Sequence, residues 1–203
     1  MNNALSYLER RAGTALGRAM TATESAKLYK YLKLLIKWQR SQRLIGSSEP
    51  TWIVDHVIVD SLLFARLILP GCKALCDVGS GAGIPGIPLA AVMPDVNVTL
   101  LESRQKRGSF LRAAIRELPL ANCRLMVRRL EDAGPELLEQ FDAAVMRCAG
   151  NPSAMWPGIR TLLKKGGVAI ASGPPARRDV GFGEWIEVEG PGGLRRFWVH
   201  HAT

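Results

Sequence analysis

Ala74-Leu-Cys-Asp-Val-Gly-Ser-Gly-Ala-Gly-Ile-Pro-Gly-Ile-Pro-Leu-Ala-Ala-Val-Met-Pro94, continuing Asp95-Val-Asn-Val-Thr-Leu-Leu-Glu-Ser-Arg-Gln-Lys-Arg107, is the stretch from which the fold of this chain is read. A short apolar run over 74–76 meets an acid at Asp77, and glycines follow at Gly79, Gly81 and Gly83. The pattern then predicts a helix over 85–92 and a second strand over 96–101 that ends in another acid, Glu102. Strand, glycine turn, helix, strand, acid is one right-handed crossover of an open parallel sheet. Glycine lacks a Cβ, so the chain can turn tightly and let a ligand touch its backbone. Glu102 lies about twenty residues past the glycines, where a carboxylate can accept both hydroxyls of a ribose. The layout suits a cofactor that carries a nucleoside.

Two cofactor classes compete for it. Gly81, Gly83 and Gly86 fit the dinucleotide pattern G-x-G-x-x-G, but they begin late after the strand. The earlier set, Asp77-x-Gly79-x-Gly81-x-Gly83, puts an acid ahead of the first glycine. A carboxylate there would repel a pyrophosphate and would pair, directly or through water, with the cationic amino-acid end of S-adenosylmethionine. The spacing therefore favours S-adenosylmethionine over a nicotinamide dinucleotide.

The flanking sequence is helical before this unit and α/β after it. Thr21-x-x-Glu24 is a capping box that opens a helix reaching about residue 42. Leu28, Leu32, Leu35 and Ile36 recur at helical spacing and face a core, while Lys30, Lys33, Lys37 and Arg40 fall on or near another face, either solvated or turned toward RNA. A second helix is expected over 52–69, stopped by Pro70-Gly71. Further strands are expected at 124–127, 142–146 and 168–171, with helices at 106–118 and 157–163 and a turn at 164–167. Asn151-Pro152-Ser153-Ala154 reads as a turn, because the stacking aromatic of the amino-group methyltransferase motif is missing. Segments 185–189 and 194–199 flank Gly190-Pro191-Gly192-Gly193 and form a hairpin. The expected division is a helical segment over 1–70 packed on a Rossmann-like α/β domain over 71–203.

With 203 residues and 47% hydrophobic content the chain can bury a core, and a formal charge of +9 points to a polyanionic partner such as nucleic acid. Cys72, Cys76, Cys123 and Cys148 show no metal-ligand spacing and read as reduced thiols of a cytoplasmic protein. No apolar stretch near the start suggests a leader or a membrane span.

Residues 77–88 (DVGSGAGIPGIP), 99–102 (TLLE) and Lys106-Arg107 resemble the bacterial 16S ribosomal RNA guanine-N7 methyltransferases, formerly called glucose-inhibited division protein B. The likeness runs over about 38–173. The resemblance implies a class I S-adenosylmethionine methyltransferase fold closed by an antiparallel hairpin, acting on the RNA of the small ribosomal subunit; a monomer is the expected state. It implies that Gly79, Gly81 and Ile84 meet the cofactor's amino-acid end. Glu102 would hold the ribose where the family usually has Asp, and Leu130 and Glu131 would lie beside the adenine. Arg147 would contact the cofactor carboxylate or an RNA phosphate. Arg43, Lys106, Arg107 and Arg128 are candidate phosphate contacts. His56 and Asp60-Ser61 match the family's His-x-x-Asp-Ser with one residue more between them. Arg147, His56 and Asp60 are the catalytic candidates, although methylation of N7 needs no base: its lone pair is already nucleophilic and needs in-line positioning only.

Two departures bear on the RNA. Arg43-Leu44-Ile45 stands where the family usually has Asn-Leu-Thr, and Ala171-Ser172-Gly173 where it has Leu-Lys-Gly. They keep two alternatives open: a relative that retains the cofactor and binds RNA without turnover, and a methyltransferase for another RNA or a protein.

Overall fold

The computed structural model describes residues 2–147, 152–172, 181–190 and 192–203. Two helices open the chain, α1 (Asn2–Leu16) and α2 (Ala22–Gln42). The capping box forms as the sequence requires: the Thr21 hydroxyl accepts the Glu24 N–H at 3.2 Å, and the Glu24 carboxylate accepts the Thr21 N–H at 2.8 Å. Arg18 closes over the same carboxylate at 2.7 and 2.9 Å. Helix α2 buries Leu28, Tyr31, Leu32 and Leu35, each such side chain contributing about 1.5–3 kcal/mol of transfer free energy. It ends where Arg43 turns left-handed at φ 47°.

The next helical stretch is composite. Helix α3 (Pro50–Ile53), capped by Glu49, runs into a π-turn (Val54–Val59), a short helical turn α4 (Asp60–Leu62) and a 3-10 turn (Leu63–Arg66). A π-turn holds more residues per turn than an α-helix. It falls where His56 and Asp60 are one residue further apart than in the family pattern, and it takes up that extra residue without breaking the helix.

The sheet order is β3-β2-β1-β4-β5-β7-β6. Strands β1 (Ala74–Val78), β2 (Asn97–Leu101), β3 (Cys123–Met126), β4 (Phe141–Arg147) and β5 (Leu163–Ser172) run parallel. Strands β6 (Glu184–Gly190) and β7 (Gly193–His201) form the antiparallel hairpin, with β7 beside β5. Helices α5 (Gly86–Val92) and α6 (Gln105–Glu117) follow β1 and β2, and α7 (Pro152–Leu162) precedes β5. Alternate strand residues face opposite layers. Leu75, Val98, Ala143, Val145 and Ile170 join one core with the N-terminal helices, α5 and α6; Cys76, Leu101, Ala144, Met146 and Ala171 join a second core with Ile159 and Leu162 of α7. The N-terminal helices thus share a continuous core with the sheet.

Two local expectations are corrected. The expected turn at 164–167 is part of β5: Leu163 already pairs with Phe141, and Gly166, at φ 77°, absorbs the irregularity through a register shift. Pro152-Ser153-Ala154 begins α7 rather than a turn, because proline is well accommodated in a first helical turn. Asn151, Cys148 and Gly173 lie outside the described residues. No helix among the described residues is long and apolar enough to cross a membrane.

Candidate active site

Strand order reverses between β1 and β4, and open α/β sheets bind ligands in the crevice beyond the strand C-termini at such a point. A crevice of about 580 Å³ lies there. Its floor is the turn after β1, with Gly79, Gly81 and Gly83 at φ 73°, 59° and 84°. Gly79 and Ser80 donate their N–H groups to the Leu101 carbonyl at 2.8 and 3.1 Å, which fastens the turn to the end of β2. Gly79, Gly81 and Ile84 all line the crevice, as does Glu102 with Arg104 and Arg107. Leu44, Ile45, Gly46 and Trp52 form the wall from the N-terminal segment, and Arg147 enters from the end of β4. The buried Tyr31 hydroxyl donates to the Ala82 carbonyl at 2.7 Å, so α2 braces the glycine turn from behind.

The two acids sit differently. Asp77 lies within β1, fully buried, and does not line the crevice. Its Oδ2 accepts the Gly86 N–H at 2.9 Å. A Cβ on Gly86 would stand 2.6 Å from that oxygen and 2.3 Å from Leu100 Cδ2, so only glycine lets α5 start this close to the acid. Asp77 Oδ1 has no hydrogen-bond partner among the described residues. Burial, with the nearby Glu102 charge adding to it, pushes the carboxyl from 3.8 up to about 7, against the Gly86 N–H and Ser80 that favour the charged form.

Glu102 is 3% exposed. One oxygen accepts the Gly81 N–H and the other the Arg104 N–H, both at 2.8 Å, and Arg107 approaches to 3.8 Å. Each carboxylate oxygen keeps a lone pair for a further donor. A buried acid with an orphaned oxygen beneath a glycine turn, and a second acid at the β2 end, fit a cofactor with a cationic amino-acid end and a ribose. In its charged form the same orphaned carboxyl is a poor neighbour for a pyrophosphate.

Opposite the glycines, Arg147 donates to the His56 and Val57 carbonyls of the π-turn, the latter at 3.5 Å, and lies 3.4 Å from Asp60 Oδ2. Asp60 Oδ1 takes Arg195 of β7 at 2.9 Å. Among the described residues His56 and Asp60 are joined only through Arg147, by way of the His56 carbonyl, while the imidazole packs 5.1 Å from the Trp52 ring. One partly buried carboxylate thus ties together the π-turn, the end of β4 and the hairpin.

The remaining candidates are spread out. Leu130 packs against α7, where a Cβ on Gly158 would meet it at 2.9 Å, and neither it nor the exposed Glu131 lines the crevice. Arg128 pairs with Glu136 at 2.6 Å. Arg43 and Lys106 are exposed and lie next to crevice residues in the chain, and Arg107 lines the crevice itself. Sequence reasoning missed Trp52, Arg104 and Arg195. Arg104 had a signal in its place two residues past Glu102; Arg195 had none, because Asp60 is 135 residues away. The described residues contain no cluster of metal-ligating side chains.

Comparison with known proteins converges on one group. The profile described as "rRNA small subunit methyltransferase G" matches residues 24–173. A protein of that name from Laribacter hongkongensis is 37% identical over 160 residues, covering 78% of this chain and 75% of its own. Another from Sorangium cellulosum is 33% identical over 176 residues, covering 85% and 74%. Among solved structures, the O-methyltransferase TomG of Streptomyces achromogenes, in complex with SAM, superposes with a TM-score of 0.56 at 19% identity, over 91% of this chain and all of its own. The tRNA (m1A58) methyltransferase TrmI of Aquifex aeolicus gives 0.57 at 15% identity, over 71% and 68%. At such identities these two speak for the fold alone.

Proposed function

This chain belongs to the rRNA small subunit methyltransferase G family, and from that membership we propose that it transfers a methyl group from S-adenosylmethionine to N7 of a guanine in the RNA of the small ribosomal subunit. The carrying observation is the glycine turn held between Asp77 and Glu102 at the switch point of the sheet. Glu102 and the backbone of Gly79 and Gly81 would hold the cofactor, whose sulfonium supplies an activated methyl group. The chain need not abstract a proton, since N7 carries a free lone pair; its task is to align the two reactants and exclude water. Trp52 and the 44–46 segment wall the crevice on the side where a base would enter. Arg147, held by Asp60 and the π-turn carbonyls, sets a fixed positive charge at the mouth for an RNA phosphate. The protein is expected to work as a monomer in the cytoplasm.

The test is methyl transfer from labelled cofactor to small subunits from cells lacking this protein. Label recovered as 7-methylguanosine is the expected result. Label in another base atom overturns the N7 assignment, and cofactor binding without transfer favours the RNA-binding relative that lacks turnover.

A further inference from the structure

The chain carries a formal charge of +9. Several arginines away from the crevice mouth are paired: Arg11 with Asp55, Arg18 with Glu24, Arg128 with Glu136, Arg195 with Asp60. Helix α2 differs. Lys30, Lys33, Lys37 and Arg40 are all exposed, and positions i, i+3, i+7 and i+10 fall in one arc of a helix. Among the described residues Lys30, Lys37 and Arg40 enter no ion pair, and Lys33 is engaged only by the Tyr29 ring at 4.7 Å. The three lysines line a groove of about 800 Å³ shared with α1 and the end of α6, where Glu9 and Glu117 are the acids present. Three cations in the groove, with Arg40 next along the helix, outnumber its two acids.

The stripe also has a direction. From Lys30 to Arg40 it spans about 15 Å at 1.5 Å per residue, the reach of several successive phosphates of one strand. Helix α2 then ends at Arg43, and the next residues, Leu44, Ile45 and Gly46, are the crevice wall itself. A polyanion lying along the stripe is delivered to the crevice mouth.

We infer that the exposed face of α2, Lys30 to Arg40, is a second RNA-binding surface: it holds the phosphate backbone of ribosomal RNA at a distance from the target base and sets the affinity for substrate. The inference rests on the RNA substrate proposed above. It assigns these residues to binding and leaves the chemical step to the crevice.

The experiment compares two triple charge reversals with the same change in net charge. One is Lys30→Glu, Lys33→Glu, Lys37→Glu. The control, Lys73→Glu, Arg160→Glu, Lys165→Glu, alters exposed cations at the opposite ends of the strands and the end of α7. Methyl transfer to unmodified small subunits is followed across about 50–200 mM salt. The α2 variant is expected to raise KM at least about tenfold and to flatten the salt dependence by about two to three phosphate contacts. Its kcat at saturation, its cofactor affinity and its melting temperature stay near those of the unaltered protein, and the control shifts KM far less. A KM and salt slope equal to the unaltered protein's, or an equal effect in both variants, overturns the inference. Protein-free 16S rRNA as competitor reads the occupant: weaker competition against the α2 variant is expected, and equal competition would assign the face to a ribosomal protein instead. Should the unaltered protein transfer no label, the reading of function fails separately, and the affinity for free rRNA alone decides the role of the surface.

Discussion

Replacing Asp77 by Asn tests the electrostatics of the crevice most directly. In the unfolded chain the carboxyl titrates near 3.8, and in the folded protein burial pushes it up to about 7. Between those values the folded state holds the proton that the unfolded state has released. Stability therefore falls as pH rises through this window and levels off above it. A shift of about three units corresponds to at most roughly 4 kcal/mol at pH 8. Asp77→Asn cannot ionise, so this descending limb disappears. The amide still accepts the Gly86 N–H, but its NH2 takes the place of the orphaned Oδ1, and an unsatisfied donor costs about 1–3 kcal/mol. The net expectation at pH 8 is a variant more stable than the unaltered protein by about 1–3 kcal/mol, with the advantage gone near pH 5. Urea unfolding at a series of pH values measures it. The same variant should bind S-adenosylmethionine about ten- to a hundredfold more weakly at pH 8 if, as proposed, the Asp77 charge beneath the glycine turn balances the cofactor's ammonium. For the unaltered protein, affinity should decline as pH drops below about 7, where the acid takes up its proton. Parallel pH–stability curves for the two proteins, or equal cofactor dissociation constants at pH 8, would refute the reasoning.

Gly86→Ala forces a Cβ to within 2.3 Å of Leu100 and 2.6 Å of Asp77; overpacking of this kind costs about 1–3 kcal/mol, to be read as a lowered urea midpoint together with weakened cofactor binding. Arg147→Lys cannot reach two carbonyls and Asp60 at once; kcat/KM on small subunits should drop about ten- to a hundredfold, while the cofactor dissociation constant, measured by calorimetry, changes little. Thr21→Ala removes the cap of α2 and should cost about 1 kcal/mol, or roughly 2–4 °C in melting temperature for a chain of this size. Arg18 and the Thr21 backbone hold the Glu24 carboxyl below its usual 4.5 against the opposing effect of burial. Its contribution is therefore present above pH 4.5 and lost as pH falls through the lowered value, so Glu24→Gln and the unaltered protein should converge in stability in acid.

What the chain states by itself is whatever adjacent residues enforce on the backbone. Thr21 and Glu24 cap α2 within one turn, Gly79, Gly81 and Gly83 take left-handed angles that other residues avoid, and the alternation along β4 assigns its two faces. The crossover, the glycine crevice and Glu102 at the β2 end are legible for that reason. Partners brought from far along the chain are not. Asp77 precedes a glycine turn in sequence, yet its depth is decided by how closely α5 packs on β1, and that packing makes it a buried acid beneath the crevice. The extra residue between His56 and Asp60 is visible in the sequence; that a π-turn absorbs it, and that Asp60 then joins Arg147 to Arg195, depends on β4 and β7 arriving at the same place. Leu130 lies against Gly158 for the same reason. Backbone torsions answer to neighbours a few residues away, whereas side-chain contacts, burial and titration are set once distant segments have packed.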